Sequence, residues 1–157
     1  MGAQSVTTYY EADHDRLDAL FQNFQISKRT DFQKAKESFR QFKIGLQRHI
    51  LWEEQILFPL FEEKTGMKGA GPTEAMRYEH RQIKELLEAI HQRVQARDPE
   101  TDAEERALLE VLGAHNQKEE HILYPAIDRL LSAEEHRDAF RRMEEVTGAE
   151  LGSCCSG

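Results

Sequence analysis

The sequence predicts an all-α protein, an up-down-up-down four-helix bundle with a short extra C-terminal helix. Three observations lead there. Apolar residues recur at helical spacing in each long segment, start and stop signals divide the 157 residues into helices with short connections, and an internal repeat relates the two halves. Glycine and proline are few, nine and four, which disfavours a turn-rich β fold. Short connections between long helices make consecutive helices antiparallel neighbours.

Helix 1 is expected near 9–26, opened by Thr8-x-x-Glu11 in capping-box form and carrying the apolar stripe Leu17, Leu20, Phe21 and Phe24. A break at Ile26–Arg29 and Thr30-x-x-Gln33 start helix 2, near 31–64. The Gly66–Gly71 loop ends it. Pro72, well tolerated in a first turn, opens helix 3 near 73–97, with Ile83, Leu86, Leu87 and Ile90 on one face. Asp98-Pro99 stops helix 3, and Thr101-x-x-Glu104 begins helix 4 near 102–131. Ser132-x-x-Glu135 begins a short helix 5 near 133–147. The bundle is thus expected over 8–147, with 148–157 a flexible Gly/Ser/Cys tail. Pro59 and Pro125 should each remove a backbone hydrogen bond and kink their helices.

Composition excludes several classes. The formal net charge of -8 argues against nucleic acid or an anionic membrane surface as partner. No apolar run approaches the roughly 20 residues that cross a bilayer, and the N-terminus lacks the basic start and apolar run of a signal peptide. Cys154 and Cys155 are adjacent and have no third thiol to pair with, which fits a reducing compartment. A cytoplasmic protein is expected.

Sliding the chain by 66 residues lays His14 on His80, His49 on His115, Glu53 on Glu119 and Glu54 on Glu120. The core follows, Leu17 on Ile83 and Phe21 on Leu87, and Glu-Gln-Ile-Leu-Phe-Pro (54–59) falls on Glu-His-Ile-Leu-Tyr-Pro (120–125). Two copies of one helical hairpin, related by an approximate two-fold axis, are implied. Each copy offers one histidine on its first helix and His-x-x-x-Glu on its second. Positions four apart on a helix differ by about 40°, so His49/Glu53 and His115/Glu119 each share a face. Rise along the helices lets His14, His49, Glu53, His80, His115 and Glu119 reach one level, with helix 2 overhanging helix 1 by up to two turns.

Imidazole and carboxylate donors suit Fe, Mn or Zn, and the bundle holds no thiolate. Six ligands are too many for one tetrahedral zinc and natural for two irons. Each iron would take two histidines, with both glutamates and a solvent-derived oxo or hydroxo group bridging. Open positions would then admit O₂, NO or peroxide.

These six residues, with Glu-Glu-x-x-Leu-Phe-Pro and Glu-Glu-His-Ile-Leu-Tyr-Pro, resemble the hemerythrin-like (HHE cation-binding) family over roughly residues 8–131. The resemblance implies a non-haem di-iron centre that handles O₂, NO or peroxide. Oxygen-carrying hemerythrins have a fifth histidine four positions after the helix-3 histidine, where this chain has Lys84, and end their helix-4 motif in aspartate. The four-His, two-Glu set is closer to hemerythrin-like proteins of nitrosative-stress defence and iron–sulfur repair, which usually carry an N-terminal domain with a cysteine pair. A stress-response or sensing protein is the leading expectation, with a small oxidant as ligand and a redox protein as possible partner. Non-catalytic storage or delivery of O₂ or iron is the alternative.

Competing readings attach to other residues. A ferritin-type site would use Glu11-x-x-His14 and Glu88-x-x-His91, which are not repeat mates. Glu54, Glu120 and His121 are expected to face outward, and His91 to lie in the core or at the bundle end. Trp52, Phe58, Phe61 and Tyr124 read as packing. Tyr10 and Tyr78 stand near His14 and His80 as candidate hydrogen bonders, and His136 has no evident partner.

Overall fold

The computed structural model describes residues 4–154, with side chains over 4–146. The elements are α1 (Val6–Ser27), α2 (Phe32–Trp52), a π turn (Glu53–Leu57), α3 (Phe58–Thr65), α4 (Pro72–Gln95), α5 (Asp102–Lys118), a second π turn (Glu119–Leu123), α6 (Tyr124–Leu130) and α7 (Ala133–Cys154). Four legs result: α1, α2 continued into α3, α4, and α5 continued into α6. Helices α1 and α2 pack as one hairpin and α4 and α5 as the other. Contacts of α2 and α3 with α4, and of α1 with α6, close the up-down-up-down ring. No strand occurs among the described residues, and no helix among them is long and apolar enough to cross a membrane.

Helix starts follow a local competition for orphan amides. The chain enters α1 at Val6 because the Ser5 hydroxyl accepts from the Thr8 amide at 3.0 Å and donates to Thr8 Oγ1 at 2.9 Å. That engages Thr8, so the expected Thr8–Glu11 box gives way to a start three residues earlier. Asp31, not Thr30, caps α2 by accepting from Lys34 N at 3.2 Å. Ser132 and Glu135 form the expected reciprocal box, at 2.9 and 3.1 Å. Gly66 ends α3 in the left-handed conformation, φ 75°, where a Cβ would crowd the following carbonyl. Arg97 takes a left-handed φ of 60° after α4 without that freedom.

The two prolines act through π turns. Pro59 and Pro125 have no amide to return to the preceding turn. Directly before each, the helix widens by one residue, with Phe58 N–H bonded to Glu53 O and Tyr124 N–H to Glu119 O.

Apolar residues fill the bundle on both sides of one polar level. Above it lie Leu17, Phe21, Phe24, Phe42, Ile83 and Leu87, and below it Tyr10, Ile56, Leu57, Phe58, Leu123 and Tyr124. Gly45 brings α2 tight against α1, since a Cβ there would stand 2.7 Å from Leu17 Cδ2. Helix α7 starts where expected, continues to Cys154 rather than ending at 147, and closes the lower end with Ala139 and Met143. Trp52 Nε1 donates to Met143 O at 3.0 Å. Cys155 lies outside the described residues. At the other end, buried Lys28 is bonded to Glu105, Asp102 and Thr101, tying the end of α1 to the start of α5.

Asp128 ties the start of α1 to α7. It accepts from Val6 N at 2.7 Å, Thr7 N at 3.0 Å and Thr7 Oγ1 at 2.6 Å, and contacts His136 Nε2 at 2.9 Å. This supplies the partner His136 lacked in the sequence. Although burial opposes it, the Thr7 hydrogen bonds lead in holding the Asp128 carboxyl below its ordinary value. A lowered carboxyl contributes stability that is present above its unfolded pKa, about 4, and is lost as pH falls through the folded value. Asp128→Ala should therefore cost about 2 kcal/mol at neutral pH, read as a lower urea midpoint. The gap from the parent protein should narrow as pH drops below about 4.

Candidate metal centre

At the polar level the six expected residues come together. His14 arrives on α1, His49 on the last turn of α2, His80 on α4 and His115 on α5, while Glu53 and Glu119 open the two π turns. Glu53, His80 and Glu119 have no exposure, and the other three are buried. Every histidine turns Nε2 inward. His14 Nε2 lies 3.1 Å from His49 Nε2 and 3.4 Å from Glu119 Oε1. Glu53 Oε1 is 3.5 Å from His49 Nε2 and 3.4 Å from His80 Nε2, and Glu119 Oε1 is 3.3 Å from His115 Nε2.

Each outward Nδ1 meets a carboxylate. His14 donates to Glu120 at 2.8 Å, His49 to Asp13 at 2.8 Å, His80 to Glu54 at 2.7 Å and His115 to Glu79 at 2.8 Å. With its proton committed at Nδ1, each ring presents a lone pair at Nε2, the tautomer a metal needs. The expectation that Glu54 and Glu120 face only solvent is therefore corrected. A residue about 140° from the ligand on its own helix points into the interface with the next helix, where that helix's histidine waits. Asp13 and Glu79, unremarked in the sequence, are also 66 residues apart, so the same slide that aligns the ligands would have found them. Cations back this layer: Arg16 bonds Asp13 at 2.9 Å, Lys118 bonds Glu79, and Lys84 stands 3.9 Å from Glu54.

The donor set fits a cation. Glu53 Oε1, Glu119 Oε2 and His80 Nε2 are buried with no hydrogen-bond partner, a costly condition that a bound ion relieves. Two groups of donor atoms each lie within 4.8 Å of one another: Glu53, His80, His115 and Glu119 in one, and His14, His49 and Glu119 in the other. Electrostatics agrees. Burial and the neighbouring Glu119 carboxylate push Glu53 well up. Burial works against ionised Glu119, but His115 and the surrounding hydrogen bonds outweigh it and hold its carboxyl well down. Burial likewise opposes charge on His14, yet Glu119 and Glu120 raise it to about 9. A cation entering here competes with protons for these donors.

Sequence comparison agrees with this arrangement: the profile of the Hemerythrin HHE cation binding domain matches residues 5–127. The chain belongs to the hemerythrin HHE family. An uncharacterized hemerythrin-like protein of Schizosaccharomyces pombe is 32% identical over 123 residues, covering 78% of this chain and 59% of that protein. A protein named DNA nickase from Nostoc is 32% identical over 123 residues, 78% of this chain and 33% of its own length. An iron–sulfur cluster repair protein YtfE from Edwardsiella ictaluri is 34% identical over 94 residues, 54% of this chain and 41% of the relative. This chain thus spans between about a third and three fifths of the length of these relatives. No solved structure matches it.

In this HHE domain a third polar side chain at the site joins Asp13 and Glu79 in having escaped the sequence reading. Tyr124, expected as packing, is fully buried with its hydroxyl 2.8 Å from Glu53 Oε2, 2.9 Å from Glu119 Oε1 and 3.1 Å from His49 Nε2. Its repeat mate Phe58 stacks on His80, centroids 5.7 Å apart. Of the two candidate tyrosines, Tyr10 packs edge-on against His49 and contacts Met143 Sδ at 3.4 Å, and Tyr78 is exposed. The ferritin-type alternative fails, because Glu88 is exposed and His91 stacks on Phe39. His121 is exposed, as expected.

A cavity of about 20 Å³, lined by the ligands other than His80, by Asp18 and Asn116, and by apolar side chains that include Leu17, Phe42, Ile83 and Leu112, adjoins the site. It has room for one water-sized molecule. A 360 Å³ groove between α1 and α5 shares His14, Asp18, Leu112 and Asn116 with it and opens past Asp15 and Glu120. The mouth is acidic.

Removing an outer carboxylate should weaken metal binding without unfolding the bundle. For Asp13→Ala or Glu79→Ala, a loss of about 10–100-fold in affinity is expected in competition with a chelator. Asp13→Asn, which keeps an acceptor but not the charge, should lose less.

Proposed function

We propose that this HHE domain is a non-haem di-iron protein that binds or reduces O₂, NO or peroxide in a stress-response or sensing role. One observation carries the reading: the two donor groups share Glu119, so two cations can sit side by side with a carboxylate between them. The distances from Glu53 Oε1 to both His49 and His80 support a second bridging carboxylate. Imidazole and carboxylate donors without thiolate favour iron or manganese over structural zinc. Bound there, two irons would supply a pair of one-electron oxidation changes and open positions for a diatomic or peroxide.

The protein's own residues set the conditions. The Asp13, Glu54, Glu79 and Glu120 carboxylates fix the four rings, and the adjoining cavity admits one molecule of water size. The acidic mouth favours neutral ligands over anionic ones. The relative named for iron–sulfur cluster repair supports a stress role. The net charge of -8 does not favour nucleic acid, whatever the Nostoc relative acts on. We place the protein in the cytoplasm, served by a redox protein that returns electrons to the centre.

Metal analysis with a visible spectrum, on aerobically purified protein, is the direct test. About two irons per chain with a charge-transfer band is the expected result, and His80→Ala or Glu119→Ala should lower both. Chelation should lower the melting temperature and ferrous iron restore it, since metal binds only the folded chain. No stoichiometric metal and an unchanged melting curve would sink the reading. Catalytic loss of peroxide or NO then marks a reductase, whereas a reversible spectral change without turnover marks a carrier or store.

A further inference from the structure

The internal repeat makes the two halves of the centre equivalent in their six ligands, yet the donor groups are unequal. The His80/His115 position has four mutually close donors, and the His14/His49 position has three. We propose that Tyr124 supplies the missing donor: its phenol oxygen ligates the cation held by His14 and His49. This rests on the di-iron reading above and adds a seventh ligand to it.

Geometry carries the assignment. Two donors about 2.1 Å from one ion and at right angles to each other stand about 3 Å apart. The Tyr124 oxygen meets that spacing three times, at 3.1 Å from His49 Nε2, 2.9 Å from Glu119 Oε1 and 2.8 Å from Glu53 Oε2. His14 and His49 meet it between themselves, at 3.1 Å. The hydroxyl has one proton to offer two carboxylates and an imidazole, so its surroundings are those of a donor atom among ligands.

Local structure explains how it arrives there. In an unbroken α-helix Tyr124, five residues after Glu119, would point about 140° away. The π turn Glu119–Leu123 brings position 124 back onto the face of 119. The π turn Glu53–Leu57 does the same for position 58, but there the residue is phenylalanine, flat against His80 with an interplanar angle of 12°. Oxygen is thus delivered to one metal position only. Tyr10, 5.0 Å away ring to ring, and His14, 5.9 Å away, wall the Tyr124 ring in, so the hydroxyl is already in place.

On coordination the O–H bond gives way to an oxygen–metal bond and the proton leaves to solvent. A hard anionic oxygen at one position favours the ferric level there, so the two irons differ in oxidation behaviour.

The test compares the iron-loaded full chain with Tyr124→Phe by resonance Raman and visible spectroscopy. Phenylalanine already occupies the equivalent place in the other half, and circular dichroism of both metal-free proteins checks that the variant folds. The oxidised parent protein should show tyrosinate ring modes enhanced through a phenolate-to-iron band, and both should vanish in Tyr124→Phe. Tyrosinate modes absent from a fully iron-loaded parent, or a spectrum unchanged in Tyr124→Phe, overturn the assignment while leaving the di-iron reading standing. Failure of the parent chain to take up iron overturns both.

Discussion

Two carboxylates and four imidazoles lie on the axis of a bundle whose interior is otherwise apolar, and the cost of keeping them there shapes everything around them. An unpaired ion taken from water into such a core costs several kcal/mol after relaxation. The chain meets this by distributing polarity in layers. Glu53 and Glu119 sit at the centre, the four Nε2 atoms face them, and four further carboxylates bind the Nδ1 protons from outside. Three inner donor atoms still lack a partner. That residual deficit is what makes the level a cation site rather than a buried polar network.

The layers explain the division of labour among the helices. The hairpin α1–α2 supplies Asp13 to its own His49, and α4–α5 supplies Glu79 to its own His115. Glu54 and Glu120 cross instead to the other hairpin, to His80 and His14. Each hairpin is therefore locked internally by one histidine–carboxylate pair and to its mate by two. The same bonds that orient the ligands fix the rotation and height of the legs, so the site and the bundle are one structure.

Approximate two-fold symmetry is broken where it affects chemistry. The carboxylate on His49 is backed by Arg16, with Arg48 Nη2 at 3.9 Å, and that on His115 by Lys118. Phe58 and Tyr124 occupy equivalent places with different chemistry. The groove with the acidic mouth reaches the His14 side, between α1 and α5. An approaching molecule therefore meets the two halves of the centre on unequal terms.

Much of this was legible in the residues alone. Helix number, order and approximate limits follow from apolar period, caps and breakers, which are local properties of the chain. The six ligands follow from a 66-residue repeat and a four-residue spacing that hold whatever the packing. The Hemerythrin HHE match over residues 5–127 agrees with both. Tertiary structure decided what depends on relations between helices or on competition within one. Which carboxylate meets which Nδ1 is set by the rotation of neighbouring legs, so Glu54 and Glu120 look solvent-facing on a single helix and become partners of His80 and His14 only in the bundle. The 66-residue slide pairs Asp13 with Glu79, but which histidine each one meets depends on the same rotation. Tyr124 joins the site because a π turn before Pro125 changes the helical phase, which an α-helical wheel cannot anticipate. The start of α1 moved to Val6 because Asp128 accepts from the Val6 and Thr7 amides and Ser5 from that of Thr8, and Asp128 lies 121 residues from Thr7.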